Sequence, residues 1–192
     1  VVARSSQQGI LILYNRGDTF DPPVSVTISS PDDVEICDVD GDSDPDLVIG
    51  GFRLGVCRQG PPGTFGPFEL ALPEASPSRV IAADMDADGH PDILADGGVF
   101  WNDGSGALAG RTHLPVSIFG PGDFDGDGLL DVAGHVAQSI TIVRGVGNRR
   151  LSSPAVLSLD AMPIFMSSAD FDGDRDLDLG ILVDPRALVV LE

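Results

Sequence analysis

The chain has 192 residues, of which 42% are hydrophobic, and it contains 24 glycines and 15 prolines. This length is sufficient for a buried core, but the many helix-breaking residues favour a compact, mostly β protein. Eleven basic against 30 acidic residues give a net charge of −19, which argues against nucleic-acid binding. No apolar run approaches the roughly 18 residues that span a bilayer and no signal-peptide pattern is present, so we expect no membrane insertion.

Short strand-like segments bounded by turn residues follow one another along the chain. Their order predicts a single propeller domain over residues 1–192 with units at 1–33, 34–79, 80–116, 117–163 and 164–192, the first and last partial. Strands are predicted at 1–3, 10–14 and 24–28, then at 34–37, 47–49, 54–57 and 68–72. The later units have predicted strands at 80–83, 93–95, 99–101 and near 113–116, at 117–119, 132–133, 140–143 and 155–157, and at 164–166, 179–182 and 187–191.

One motif recurs between the first and second predicted strands of each of the last four units. It has aspartate at positions 1, 3, 5 and 9 of a nine-residue loop, and an apolar strand follows it. It occurs four times, as loop 1 (38–46), loop 2 (84–92), loop 3 (123–131) and loop 4 (170–178). The spacings of 46, 39 and 47 residues between the first aspartates suit a structural repeat of one small supersecondary unit. The sixteen aspartates explain most of the acidity, since without them 14 acidic residues face 11 basic ones.

Alternate carboxylates in a tight loop can converge on one cation, and oxygen-rich, flexible coordination favours Ca²⁺ over Mg²⁺. An EF-hand would need a bidentate Glu at position 12, where this chain has Ile49, Ala95, Gly134 and Ile181. Solvated Asp/Gly turns remain the alternative. We predict up to four Ca²⁺, held by carboxylates and by the position-7 carbonyl. The predicted ligand residues are Asp38, Asp40, Asp42, Asp44 and Asp46; Asp84, Asp86, Asp88, His90 and Asp92; Asp123, Asp125, Asp127, Leu129 and Asp131; and Asp170, Asp172, Asp174, Asp176 and Asp178.

The fold class predicted from four short antiparallel strands per repeat is an all-β propeller with four-stranded blades. A solenoid usually has shorter or helical repeats, and a β-sandwich would not need one ion loop at the same place in every unit. Three complete units lie between two three-strand remnants, so about four to five blade units are expected. We expect either part of a larger propeller, which is favoured, or open edges that pair with other chains.

The loops at Asp123–Val132 and Asp170–Leu179 resemble the FG-GAP/VCBS-type repeats of integrin α-chain propellers and of many bacterial secreted proteins. The segments Leu13–Phe20 and Gly63–Phe65 are similar to the third-strand turn of that family. The resemblance implies a propeller with calcium between the first two strands of each blade, and it implies no single activity. Position 6 of the loop is usually Gly in that family, but it is Ser43 and Arg175 in loops 1 and 4. We therefore predict weaker ion binding there than in the loops that contain Gly89 and Gly128.

We find no pattern in His90, His113 and His135 that suggests a catalytic triad or a zinc site. Together with the Asp loops and the family resemblance, this favours a non-catalytic, calcium-binding adhesion or scaffold module. We expect it to be secreted or on the cell surface of a bacterium. Its expected partner is a protein, a glycan or another copy of itself. The alternatives are a portion of a larger secreted enzyme and a subunit that assembles through open edges. Cys37 and Cys57 are predicted on the first and third strands, roughly 9.5 Å apart, and hence as two buried thiols instead of a disulfide.

Overall fold

The computed structural model describes residues 3–6, 9–61, 63–72, 75–184 and 187–191, and all of the regular structure within these ranges is β. Within these ranges, eighteen strands form five antiparallel sheets in chain order, and in each sheet consecutive strands are neighbours. Sheet 1 contains β1 (Ala3–Ser6), β2 (Gly9–Ile12) and β3 (Val24–Thr27). Sheet 2 contains β4 (Pro31–Cys37), β5 (Asp46–Gly51), β6 (Leu54–Cys57) and β7 (Glu69–Leu72).

The remaining three sheets repeat this order. Sheet 3 contains β8 (Val80–Ala83), β9 (Asp92–Ala95), β10 (Gly98–Asn102) and β11 (Leu108–His113). Sheet 4 contains β12 (Ser117–Gly122), β13 (Asp131–Val136), β14 (Ser139–Val143) and β15 (Ala155–Ser158). Sheet 5 contains β16 (Met162–Ala169), β17 (Asp178–Asp184) and β18 (Ala187–Leu191).

Apolar side chains from both faces of the central strands join each sheet to the next. On β5, Leu47 and Ile49 pack towards sheet 1, while Val48 packs towards sheet 3. A strand that is buried on both faces reads as a continuous apolar run, which explains why these segments were recognisable in the sequence. Four such clusters lie at the four junctions between consecutive sheets. The predicted all-β propeller of four-stranded antiparallel blades is confirmed.

Some predicted bounds were wrong. The last strand of sheet 3 ends at His113, because Gly98 pairs with His113 and Val99 with Thr112. Leu114 and Val116, which suggested a later strand, are buried in the connection that follows and fill the junction with sheet 4. β4 begins at Pro31 and β16 at Met162, both earlier than the predicted strands at 34–37 and 164–166. Of the first predicted strand, residues 1 and 2 lie outside the described residues.

Candidate metal centres

All four Asp loops occupy the same place, between the first and second strands of sheets 2, 3, 4 and 5. In each loop three carboxylates contribute oxygens that lie within 4.8 Å of one another. The clusters are Asp38, Asp40 and Asp42; Asp84, Asp86 and Asp92; Asp123, Asp125 and Asp127; and Asp170, Asp172 and Asp178. Thus positions 1 and 3 converge in every loop, joined by position 5 in loops 1 and 3 and by position 9 in loops 2 and 4.

The aspartate at position 1 organises the loop backbone around its carboxylate. In loop 1, Asp38 Oδ1 accepts hydrogen bonds from the Gly41 and Asp42 amides, and Oδ2 accepts one from the Ser43 amide at 2.9 Å. The other three position-1 aspartates also accept from the position-6 amide. This carboxylate therefore holds the turn of the loop together by accepting its backbone amides.

The aspartate at position 9 ties the loop to the sheet. In loop 3, the Asp131 carboxylate is fully buried, and it accepts the Phe124 amide at 2.9 Å and the Gly145 amide at 2.8 Å. Asp46 and Asp92 make the equivalent pairs of bonds in sheets 2 and 3. Each of these carboxylates links its loop to the end of the third strand, a structural role that the sequence did not indicate.

Burial has an electrostatic consequence for position 9. Desolvation raises the pKa of Asp92 to about 6, against the opposing effect of the hydrogen bonds from the Asn102 and Met85 amides, and the charges of Asp86 and Asp88 add to the rise. Desolvation also raises the pKa of Asp46 and of Asp131. A site that holds such carboxylates at neutral pH gains from a neighbouring positive charge.

Two buried oxygen atoms support the fit of a cation. Oδ1 of Asp40 and Oδ1 of Asp86 are both buried and have no hydrogen-bond partner. The Asp86 side chain is only 7% exposed. An unpaired buried acceptor is costly, and a cation that binds at this point would satisfy it. A hard cation is the group that suits three converging carboxylates, so these residues fit calcium by donor chemistry.

The position-7 residues contact the loop through their backbone amides. The amides of Asp44, His90, Leu129 and Asp176 all donate to Oδ1 of the position-5 aspartate at 2.8 to 2.9 Å. This contact turns the chain tightly after position 5. Ligation through the position-7 carbonyl stays a prediction.

Weaker ion binding was predicted for loops 1 and 4 because the residue at position 6 would need a positive φ, and this backbone conformation is confirmed. The position-6 residue has a positive φ in all four loops, at +74° for Ser43 and +84° for Arg175. Position 4 is also left-handed in all four, and there loop 2 carries Ala87 at +60° instead of Gly. The strain is therefore shared by loops 1, 2 and 4, and loop 3, with Gly126 and Gly128, has none at these two positions.

Arginine side chains, which the sequence analysis did not assign to the sites, reach position 3 in three loops. Asp40 Oδ2 lies 3.1 Å from Arg58 Nε, Asp125 Oδ2 lies 3.2 Å from Arg144 Nη1, and Asp86 Oδ2 lies 2.9 Å from Arg149 Nε. Arg58 also pairs with Glu69. In loops 1 and 2 the arginine thus occupies one carboxylate oxygen of position 3 and leaves the buried Oδ1 for another cation.

Asn102 is a second residue that sequence reasoning missed. It is fully buried, and its Nδ2 donates to the Val39 carbonyl of loop 1 at 2.8 Å and to the Pro91 carbonyl of loop 2 at 3.1 Å. It therefore ties the loops of two consecutive sheets together. In the sequence, Asn102 begins an Asn-Asp-Gly stretch that is typical of an ordinary turn, so no signal distinguished this residue.

The rings of His113 and His135 make structural contacts. His135 stacks on Phe119 with ring centroids 5.0 Å apart, and His113 Nδ1 lies 3.0 Å from the Gly97 carbonyl oxygen.

Both cysteines are free thiols, Cys57 buried and Cys37 half-buried. Burial raises the pKa of Cys37 to about 12 and that of Cys57 to about 11. The described part of the chain has no helix long and apolar enough to cross a membrane.

Comparison with known proteins concerns the fold. No curated protein sequence matches the chain. A solved lectin of Agrocybe aegerita, described for its specific recognition of non-reducing terminal N-acetylglucosamine, has a TM-score of 0.64 at 18% identity over 92% of this chain and 55% of its own. The V. cholerae biofilm matrix protein Bap1 has a TM-score of 0.43 at 10% identity over 95% of this chain and 46% of its own. The chain thus spans about half the length of these structures, and the likeness to the lectin shows a shared fold.

A family model described as the FG-GAP-like repeat matches residues 123–181, which run from loop 3 through loop 4 into β17. This stretch contains the two Asp-Phe-Asp-Gly-Asp sequences and the strands that follow them. The protein is therefore a β-propeller that carries an FG-GAP-type repeat.

Proposed function

We propose that the protein is a non-catalytic propeller that binds calcium in its Asp loops and presents a surface to a glycan or protein ligand outside the cell. The observation that carries the calcium assignment is the buried, unpaired Oδ1 of Asp86 beside the carboxylates of Asp84 and Asp92. Extracellular calcium is abundant enough to fill sites of modest affinity. The ions are structural in this account, because they make loops of clustered like charges stable and couple binding to folding.

Thermal unfolding with excess calcium and with a chelator, alongside metal content by mass spectrometry, tests this function. A ligand at a hundred times its Kd stabilises the folded state by about 2.7 kcal/mol per site, so four sites would raise the melting temperature by many degrees. Asp86→Asn is expected to reduce both the bound calcium and the shift, while Asp18→Asn, an exposed aspartate outside the loops, leaves both unchanged. The absence of bound metal and of any shift would refute the calcium assignment.

A cleft between sheets 1 and 2 is the place we propose for the ligand. It has a volume of about 250 Å³, and it lies at the end of β5 opposite to loop 1. Phe52 is 64% exposed at its edge, and the Arg53 guanidinium lies 5.0 Å from the Phe52 ring centroid without an ion pair among the described residues. An exposed aromatic ring beside a free guanidinium suits the apolar face and polar groups of a sugar or a peptide side chain.

A glycan array probed with the calcium-loaded protein tests the ligand. Terminal N-acetylglucosamine belongs on this array because the lectin of the same fold is described as recognising it. We expect Phe52→Ala to abolish a hit, and Phe20→Ala, another half-exposed aromatic residue, to retain it. A hit that survives Phe52→Ala would place the ligand elsewhere. Turnover of a bound glycan would favour the alternative of a larger secreted enzyme.

Assembly through exposed strands is the second candidate function, and one observation favours it. Phe165, Leu188 and Val190 of sheet 5 are 57%, 71% and 45% exposed. An apolar sheet surface of this kind is a site where another chain can associate. Sedimentation velocity separates the two cases: a concentration-dependent increase in size that Leu188→Ser suppresses supports assembly, and a single monomeric species at all concentrations excludes it.

A further inference from the structure

Arg149 follows the third strand of sheet 4, but its side chain makes its polar contacts with loop 2 and β10 of sheet 3. It belongs to the turn between β14 and β15, and its Nε lies 2.9 Å from Asp86 Oδ2. Its Nη2 lies 3.2 Å from Asp88 Oδ2 and donates to the Asn102 carbonyl at 2.9 Å. One guanidinium therefore joins two carboxylates of loop 2 to the end of β10, across a junction between sheets.

The backbone at this turn is strained in a way that serves the contact. Gly147, Asn148 and Arg149 have φ of +70°, +53° and +58°. A left-handed conformation is unfavourable for a non-glycine residue, and such residues persist where surrounding contacts hold them. The three contacts of the Arg149 side chain are the interactions that offset this cost.

Loop 2 differs from its neighbours in where its arginine comes from. Arg58 and Arg144 each directly follow the third strand of their own sheet and pair with position 3 of their own loop. In sheet 3 the equivalent residue is Trp101. The equivalence follows from the next residue, since Asn102 donates its amide to Asp92 as Gly145 donates its amide to Asp131. Sheet 3 therefore has no arginine of its own at the equivalent position.

We propose that Arg149 is a built-in counter-cation for loop 2, supplied by the adjacent sheet, which keeps this loop folded and docked when no divalent ion is bound. The proposal rests on the calcium function proposed above. Four aspartates of loop 2 repel one another, and Arg149 neutralises part of that charge from the Oδ2 side of Asp86 while Oδ1 stays free. Since the guanidinium and a divalent ion carry charge of the same sign, each weakens the binding of the other.

This antagonism fixes the sign of the effect of Arg149→Gln. Without the positive charge, the ion-free protein loses more stability than the ion-loaded protein, so the difference between its melting temperatures in calcium and in chelator widens. By linkage, the affinity of loop 2 for the ion must rise by the same coupling. We expect it to be about three- to ten-fold tighter, because the pair is partly exposed and its charges are screened.

The chain contains a natural reporter for loop 2. Trp101 is the only tryptophan, it precedes the residue that bonds to Asp92, and it packs in the same cluster as Met85 of the loop. Terbium titration with tryptophan excitation reports ions bound near Trp101, because energy transfer to a bound lanthanide falls steeply with distance. The part of the sensitised signal that Asp86→Asn removes is assigned to loop 2. The titration is compared for the wild type, Arg149→Gln, Arg149→Lys and Arg144→Gln.

The two other variants serve as controls. Arg144→Gln removes an ion pair of the same kind from loop 3, within one sheet, and is expected to leave the tryptophan-sensitised titration unchanged. Arg149→Lys retains the charge, so its terbium affinity is expected to lie near that of the wild type. A sensitised affinity that stays the same or falls in Arg149→Gln overturns the proposal, since Arg149 would then only orient Asp86 for the ion. If the wild type binds no terbium, the calcium function fails instead. A melting temperature in chelator that Arg149→Gln leaves unchanged would overturn the counter-cation.

Discussion

At the residue scale, the four loops differ in which residues occupy two left-handed backbone positions. Positions 4 and 6 are left-handed in every loop, and only loop 3 has glycine at both. The sequence showed the substitutions at position 6 because the family pattern has glycine there. It did not show that position 4 needs the same conformation, so the strain at Ala87 in loop 2 was missed.

Replacing Ala87 by glycine tests this strain. The change removes a left-handed penalty of about 1 kcal/mol, and the greater freedom of glycine in the unfolded chain offsets part of the gain. We expect Ala87→Gly to stabilise the protein slightly and to strengthen ion binding at loop 2, as measured by thermal unfolding and by Trp101-sensitised terbium titration.

Ala137 provides the matched control. It has φ of +50° in the turn between β13 and β14, outside the Asp loops. Ala137→Gly is expected to give a similar change in stability without any change in ion affinity. An equal effect of the two variants on terbium binding would show that loop strain does not set the affinity.

Each Asp loop forms one element with the strands that it joins, because position 9 is a structural tie as well as a candidate ligand. Asp131 accepts two buried backbone amides, from Phe124 and Gly145. Asp127, at position 5, is exposed, and among the described residues it accepts only the Leu129 amide, at 2.8 Å. The two positions should therefore respond differently to removal of the carboxylate.

We predict that Asp131→Ala destabilises the protein even in chelator, by about 2–6 kcal/mol, since each of the two buried amides left without an acceptor costs about 1–3 kcal/mol. Asp127→Ala should have little effect in chelator and should lose stability mainly in calcium. Chemical denaturation of both variants under the two conditions measures this difference. Equal losses in chelator would mean that the tie is not the dominant role of position 9.

Most strands and all four loops were predictable, because their patterns are local. The central strands read as apolar runs, and the Asp frame marks the start of each second strand. The error at β11 came from Leu114 and Val116, whose apolar character reflects the junction between sheets and not a strand. The contact of Arg149 with Asp86 joins residues 63 positions apart, and no local pattern encodes such a contact.

Charge is the property that the loops give to the whole molecule. The net charge of −19 would become −11 with four bound Ca²⁺. Arg58, Arg144 and Arg149 compensate loops 1, 3 and 2 only in part. Self-repulsion therefore remains as a destabilising contribution in the ion-free protein.

Salt should distinguish the ion-free from the ion-loaded protein. Ionic screening shortens from roughly 10 Å at 0.1 M to about 3 Å at 1 M, so added sodium chloride relieves repulsion among clustered carboxylates. We expect sodium chloride to raise the melting temperature in chelator, and to raise it less in saturating calcium, where the ions already neutralise the loops. Melting curves across a salt series in both conditions measure the two slopes. Equal slopes would mean that the three arginines already balance the loops, and that charge repulsion does not explain a dependence of stability on calcium.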